Sequence, residues 1–203
     1  MKLIGYPAGN KENGFSLTEL LFAMGIFMAV LAAIATVFIS QRKSYDAQEQ
    51  VAEMTQNARS AMDMLSTEMR QAGYRLPDTD VGMPHSTSDL QLLADLNGDG
   101  DTSDPNENII YEYDSPNRRI TRNDVNTDNV AQPFAENIAG FSFRYFEDDG
   151  VTAVASSADE GKIRQIEVEI VARASEPDPD YSTNDGYRIY TLTSRVTPVN
   201  LGL

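Results

Sequence analysis

The sequence predicts an α+β protein: a long N-terminal α-helix, lipid-soluble in its first half and amphipathic in its second, packed on a C-terminal antiparallel β-sheet head. Three observations carry this. Leu20 to Ile39 hold no charge and no proline, and 20 helical residues at about 1.5 Å each give roughly 30 Å, the hydrocarbon thickness of a bilayer. Val51, Met54, Ala58, Met62, Leu65, Met69 and Ala72 then follow one another at spacings of 3, 4, 4, 3, 4 and 3, which places them on one face of a continuing helix. Beyond Leu76 the apolar pattern changes from helical to alternating, with Ile166-Glu167-Val168-Glu169-Ile170 its clearest stretch.

Glu19 is the single acid at the front edge of the apolar run, which is preceded by Gly14-Phe15-Ser16-Leu17-Thr18. A carboxylate at bilayer depth costs on the order of 2.5 to 3.5 kcal/mol without a cation, so Glu19 needs a partner or an interfacial position. If the chain were cut between Gly14 and Phe15, the new α-amine of Phe15 would lie one helical turn from Glu19 and neutralise it, in cis or on a neighbouring chain. Two other processing schemes compete. Ala33-Ile34-Ala35 would suit a conventional signal cut, although the apolar centre is too long for one and begins with an acid. An uncleaved single-span anchor is the other. Lys2 and Lys11 precede the run and Arg42 and Lys43 follow it, so charge does not decide orientation.

The helix is expected from Phe15 to Ala72, roughly 87 Å at 1.5 Å per residue. Ala, Gln, Glu, Met and Arg fill its other faces. Gly73 is a natural C-terminal stop and Pro77 prevents resumption. Such a helix is not stable alone in water, so its Met/Leu stripe must pack on something, most simply a sheet. Strands are expected at 109–113, 119–121, 141–146, 163–172 and 187–196. Ser115-Pro116-Asn117, Asp148-Asp149-Gly150 and Asn184-Asp185-Gly186 suit the reversals between them. Ile166, Val168, Ile170, Phe141, Phe143, Tyr145, Ile189 and Leu192 are expected on the covered face of one antiparallel sheet. About 130 residues of head suffice for one core, not two.

Composition excludes several functions. With 16 Lys+Arg against 31 Asp+Glu, the chain lacks the basic surface that nucleic acid requires. Cysteine is absent, which removes disulfides, thiolate zinc sites and a cysteine nucleophile. The single histidine, His85, sits in a Pro84-His85-Ser86-Thr87-Ser88 loop where solvent exposure is expected. No GxSxG, phosphate-binding glycine loop or zinc histidine pair occurs, so an enzyme is not expected.

The strongest site signal in the head is Ala94-Asp95-Leu96-Asn97-Gly98-Asp99-Gly100-Asp101-Thr102-Ser103-Asp104-Pro105-Asn106-Glu107. Oxygen-bearing side chains at Asp95, Asn97 and Asp99, then Gly100 for a sharp turn and Asp101, reproduce the opening of an EF-hand-type loop. That pattern suits Ca²⁺, a hard cation taking 6 to 8 oxygens without strict directionality, better than Mg²⁺. The twelfth loop position is Asn106 in place of the usual bidentate Glu, so closure falls to Asp104 or Glu107. The competing reading is a solvated acidic turn. Glu176-Pro177-Asp178-Pro179-Asp180 with Asp185 lacks the alternating pattern and reads as a plain surface loop.

Gly14 followed by Phe15-Ser16-Leu17-Thr18-Glu19-Leu20 and the apolar run resembles the N-terminal signature of type IV pilins and type II secretion pseudopilins. The helix end Met69-Arg70-Gln71-Ala72-Gly73-Tyr74 and the β-rich C-terminal half look like the PilW group of minor pilins. The resemblance implies a pilin-like fold with a leader at 1–14, a long helix at 15–74 whose 15–39 part is membrane span and filament core, and a head at 75–203 carrying the 95–107 loop. It implies cutting by a prepilin peptidase between Gly14 and Phe15, N-methylation of Phe15, and a role for Glu19 in pairing with the amine of an adjacent subunit. It further implies single-pass residence in the inner membrane with the head in the periplasm, then transfer by the assembly platform into an extracellular pilus beside other minor and major pilins. A secretion pseudopilin shares these elements, including a calcium loop in some members. A membrane-anchored calcium-dependent adhesin or sensor head is the alternative of another class. One departure from the pattern is that no proline breaks the helix between Phe15 and Leu76, so local melting would begin at Gly25 or at Thr36 and Val37.

Overall fold

A computed structural model describes residues 14–77 and 81–201; the expected leader lies outside these apart from Gly14. One helix, α1, runs Leu17–Gln71. By contacts the chain falls into two units divided at Asp46/Ala47, inside this helix, so the amphipathic half of α1 belongs to the head. Met54, Ala58, Ala61, Met62, Leu65, Met69 and Ala72 are buried, which reproduces the expected stripe and adds Ala61. Val51 is instead 38% exposed, because the buried stripe starts at Met54, one turn later. Leu65 and Met69 are fully covered, each worth about 1.5 to 3 kcal/mol of burial.

The head holds eight strands: β1 Asp89–Leu93, β2 Asn108–Asp114, β3 Arg119–Asp124, β4 Gln132–Ala135, β5 Ile138–Phe146, β6 Ala153–Val154, β7 Gln165–Arg173 and β8 Ile189–Val196. They form two antiparallel four-stranded sheets, ordered β1-β2-β3-β4 and β6-β5-β7-β8, where one sheet was expected. The exchange of sheets happens at Glu136-Asn137, where Asn137 has a φ of 56°. There Ile138 N–H donates to Arg118 O at 2.8 Å and Tyr113 Oη–H donates to Ile138 O at 3.0 Å. Both sheets and the helix stripe nevertheless contribute to one contiguous core, as a head of this size allows. The anticipated reversals lie between β2 and β3, β5 and β6, and β7 and β8.

Ile166, Val168, Ile170 and Tyr145 are buried as expected, and Phe141, Phe143 and Leu192 are partly buried against the core. Ile189 is the exception at 43% exposure. In β8 the even positions Tyr190, Leu192 and Val196 face the core, and strand parity turns Ile189 outward. His85 is also not fully exposed: it is half-buried, with its ring 5.1 Å from that of Tyr145.

On the outward face of the second sheet, Arg144, Glu167 and Arg195 stand opposite one another on adjacent strands. Glu167 pairs with Arg195 at 2.9 Å and with Arg144. Arg195 also donates to Gly150 O at 2.6 Å and lies 4.3 Å over the Phe146 ring. The Arg195 hydrogen bond, supported by Arg144 against partial desolvation, holds Glu167 below the usual carboxylate range.

At the helix end, Gly73 takes a φ of 81° and donates its N–H to Leu93 O at 2.8 Å, while Leu93 N–H donates to Gly82 O at 2.9 Å. Gly82 lies so close that a Cβ there would stand 2.3 Å from Gly73 N and 2.9 Å from Leu201 Cδ2.

Two outcomes follow from this packing. Gly82→Ala lowers the melting temperature by an amount equivalent to about 1 to 3 kcal/mol, as overpacking against backbone does; a variant melting with the parent contradicts this seam. The proton affinity of Glu167 is lower folded than unfolded, so its stabilisation is present above roughly pH 4.3 and is lost as pH falls through the folded value. Glu167→Gln therefore melts below the parent at neutral pH, and chemical denaturation shows the two curves converging on acidification.

Candidate functional site

At the start of α1, Ser16 N–H donates to Glu19 Oε2 at 2.9 Å, and Glu19 N–H donates to Ser16 Oγ at 3.2 Å. This reciprocal pair is a capping box. It satisfies two of the donors that a helix start leaves open, and it places a carboxylate at the positive end of the helix dipole. The Glu19 carboxylate is thereby held against the backbone one residue from Phe15, which is 92% exposed. The apolar side chains that follow are exposed all round, Leu20 at 58%, Phe27 at 61% and Phe38 at 65%. Among the described residues α1 is one helix long and apolar enough to cross a membrane, and none of its apolar window is buried. Water does not tolerate such a surface, so it requires lipid or other apolar helices. The helix continues unbroken through Gly25, Thr36 and Val37; Thr36 Oγ1 donates back to Ala33 O at 2.8 Å, a local bond that occupies the hydroxyl without needing a partner chain.

In the head, the acidic loop joins β1 to β2, and its expected ligands separate into two groups. Asp95 and Glu107 point inward, 2% and 1% exposed. Asp95 accepts the N–H of Gly98 at 2.5 Å and of Gly100 at 3.0 Å. Glu107 accepts those of Leu96 at 2.7 Å, Asn97 at 3.2 Å and Asp104 at 3.2 Å. These two carboxylates order the loop from its ends. Asp99, Asp101 and Asp104 face outward and bring one carboxylate oxygen each within 4.8 Å of one another. Asn97 Nδ2 donates to Asp99 Oδ2 at 3.1 Å and Asp104 Oδ2 at 2.7 Å, softening the repulsion.

Desolvation and the neighbouring Asp99 raise Asp104 above the usual carboxylate range, whereas hydrogen bonds from the Ser103 hydroxyl and amide lower Asp101. The outward triad fits a hard cation, since all its donors are oxygens and they already converge. Asn106, at the twelfth position, has a φ of 67° and turns away from the triad: its Oδ1 accepts from Arg122 Nη2 at 3.0 Å.

Behind the loop, Tyr111 Oη–H donates to Glu68 Oε2 at 2.6 Å, and Arg122 Nε donates to Glu68 Oε1 at 3.1 Å. Burial, then the charge of Glu68, pushes the Tyr111 hydroxyl well above its usual range. This network joins the helix, the first sheet and the loop beside a groove of about 410 Å³ whose lining includes Met64, Leu96 and Asn106. Sequence reasoning did not reach Ser16, although Ser16-Leu17-Thr18-Glu19 is a readable capping-box pattern. It also missed Glu68, Tyr111 and Arg122, which lie 43 and 54 residues apart in their pairings and leave no local signal. The Glu176 to Asp180 segment is held by Arg188, whose Nη2 reaches Asp178 Oδ2 at 2.8 Å.

A capped, exposed apolar start thus heads a long helix whose amphipathic half packs on a two-sheet head. Residues 9–35 match the family profile of the prokaryotic N-terminal methylation motif. No curated protein matches the sequence. Among solved structures, a type IV-like pilin from Thermus thermophilus is 16% identical with a TM-score of 0.50, over 73% of this chain and 98% of that one. The fold is that of a type IV-like pilin, a long N-terminal helix packed on an antiparallel β head.

Proposed function

We propose that the chain is a minor pilin of a type IV pilus, of the PilW kind, acting in pilus assembly or initiation. In this reading prepilin peptidase cuts the precursor between Gly14 and Phe15 and Phe15 is N-methylated. The subunit waits in the inner membrane with its head in the periplasm before the assembly platform moves it into the filament. The observation that supports this most is the wholly exposed apolar stretch of α1 headed by Phe15 and the Ser16–Glu19 cap. Its side chains leave lipid for an equally apolar bundle of pilin helices, so the transfer costs little hydrophobic free energy. The amine of Phe15 exchanges with the Ser16 N–H as donor to Glu19, and that charge pairing sets the subunit register in a medium where an unpaired carboxylate is costly. The same elements serve a type II secretion pseudopilin. Loss of twitching or surface pili in a deletion strain favours the pilus, and loss of an exported enzyme favours secretion.

We further propose that Asp99, Asp101 and Asp104, with Asn97 and the Asp95 and Glu107 ends, hold Ca²⁺. The supporting observation is the convergence of three outward carboxylates, Asp104's partly buried, on a loop already ordered from both ends.

Mass spectrometry of the cellular protein is expected to find an amino terminus at N-methylated Phe15, and Glu19→Ala is expected to leave the head folded but abolish incorporation into filaments. An intact residue 1, or normal polymerisation of that variant, overturns the pilin reading. Excess Ca²⁺ over chelator raises the melting temperature, with an added stability of about 2.7 kcal/mol when free Ca²⁺ is about a hundred times Kd, and Asp99→Ala with Asp101→Ala removes the shift. Identical melting in calcium and chelator, with no calorimetric binding, overturns the calcium reading.

A further inference from the structure

Asn97 is followed by Gly98 in an exposed loop. An Asn-Gly pair is chemically labile because glycine presents no side chain to obstruct attack of its own backbone nitrogen on the preceding side-chain amide. The Gly98 nitrogen, after losing its proton to base, bonds to Asn97 Cγ; the Cγ–Nδ2 bond breaks and Nδ2 departs as ammonia. Water then opens the five-membered imide, at Cγ to give aspartate or at the main-chain carbonyl carbon to give isoaspartate. The sum is asparagine plus water going to an acid plus ammonia, with no change of oxidation state.

The loop opposes each part of this reaction. Gly98 N–H is committed to Asp95 Oδ1 at 2.5 Å, and Asp95 is 2% exposed, so a nearby anion disfavours the deprotonation that the attack requires. The Asn97 amide is fixed at both ends: Nδ2 donates to Asp99 and Asp104, and Oδ1 accepts the Asp99 N–H at 2.9 Å. Rotation of Cγ toward the Gly98 nitrogen breaks all three bonds. On the Gly98 side, an ideal Cβ would meet Arg75 Nη1 at 2.4 Å, so the guanidinium of Arg75 covers the peptide.

We propose that Asn97 is a deamidation site whose reaction is gated by the loop, suppressed while Asp95, Asp99 and Asp104 hold it and released when they let go. The product disrupts the loop that suppressed its formation. It replaces the amide that bridges Asp99 and Asp104 with an anion beside Asp99, Asp101 and Asp104, and carboxylates brought together without a bridging donor or cation repel. Isoaspartate also lengthens the backbone within the turn that Asp95 caps. Each converted copy therefore has a looser loop, and conversion acts as an irreversible record of how long the loop has stood open.

The test incubates the purified full chain in detergent micelles in mildly alkaline buffer, with and without urea, and follows the peptide spanning residues 95–107 by mass gain and by isoaspartyl methyltransferase labelling. Conversion at Asn97 is expected to be at least about tenfold slower in the folded protein than in urea, as local opening free energy controls access. Asp95→Asn and Asp104→Ala are expected to speed it under native conditions, with circular dichroism reporting that the head remains folded. Should Asp95→Asn melt the head, Asp104→Ala alone decides, since its carboxylate is only partly buried. Equal rates in buffer and urea, or folded variants that convert no faster than the parent, overturn the proposal.

Discussion

The apolar face of α1 from Met54 to Met69 is the constraint on which the head depends. Two four-stranded sheets of five, seven, six and four residues and of two, nine, nine and eight have little to bury against one another alone, and a 55-residue helix has no reason to persist in water at that length. Each supplies the other's missing cover. Helix residues appear in the same cluster as Leu90, Ile109 and Ile120 of the first sheet and Ile166, Val168 and Ile170 of the second, so the stripe ties two sheets into one core. Glu68 adds directionality to that non-directional burial. It meets both Tyr111 and Arg122 from the first sheet, and a partly buried charge with two hydrogen-bonding partners tolerates far less sliding than a row of methionines.

Acid excess is handled by the same means throughout the molecule. Carboxylates that enter the structure are given backbone amides or guanidinium partners: Asp95 and Glu107 in the loop, Glu167 between two arginines, Asp178 beneath Arg188. Those that do not are left facing water. Asp99, Asp101 and Asp104 are the instructive intermediate, close enough to interact yet outward, and Asn97 is the neutral group placed among them.

Much of this was legible from residue order alone. The uncharged run, the stripe spacing and the Ile166–Ile170 alternation each encode an element in one continuous stretch of chain, and each corresponds to an element in the structure. What escaped was β1, whose Leu90 and Leu92 alternate within five residues, together with features too short or too distant to read. Strand β6 has two residues and β4 has four with a proline among them, below the length at which alternation is visible. The passage from one sheet to the other at Asn137 depends on a left-handed backbone that asparagine permits but does not announce. Of the candidate site, the acidic spacing was readable, but the division into inward caps and outward carboxylates was not. That division follows from burial at the loop's ends, which depends on β1 and β2 being paired and on Tyr74 O receiving the Asp95 N–H.

Asn200 and Leu201 lie against Gly73, where Leu201 Cδ2 would stand 2.9 Å from a Cβ added there. In a chain without cysteine, this clasp does by contact what a crosslink does elsewhere: it brings the last described residues of the chain onto the helix terminus. Removal of Leu201, a contact of the kind often dispensable elsewhere, here disturbs the joint between helix and head.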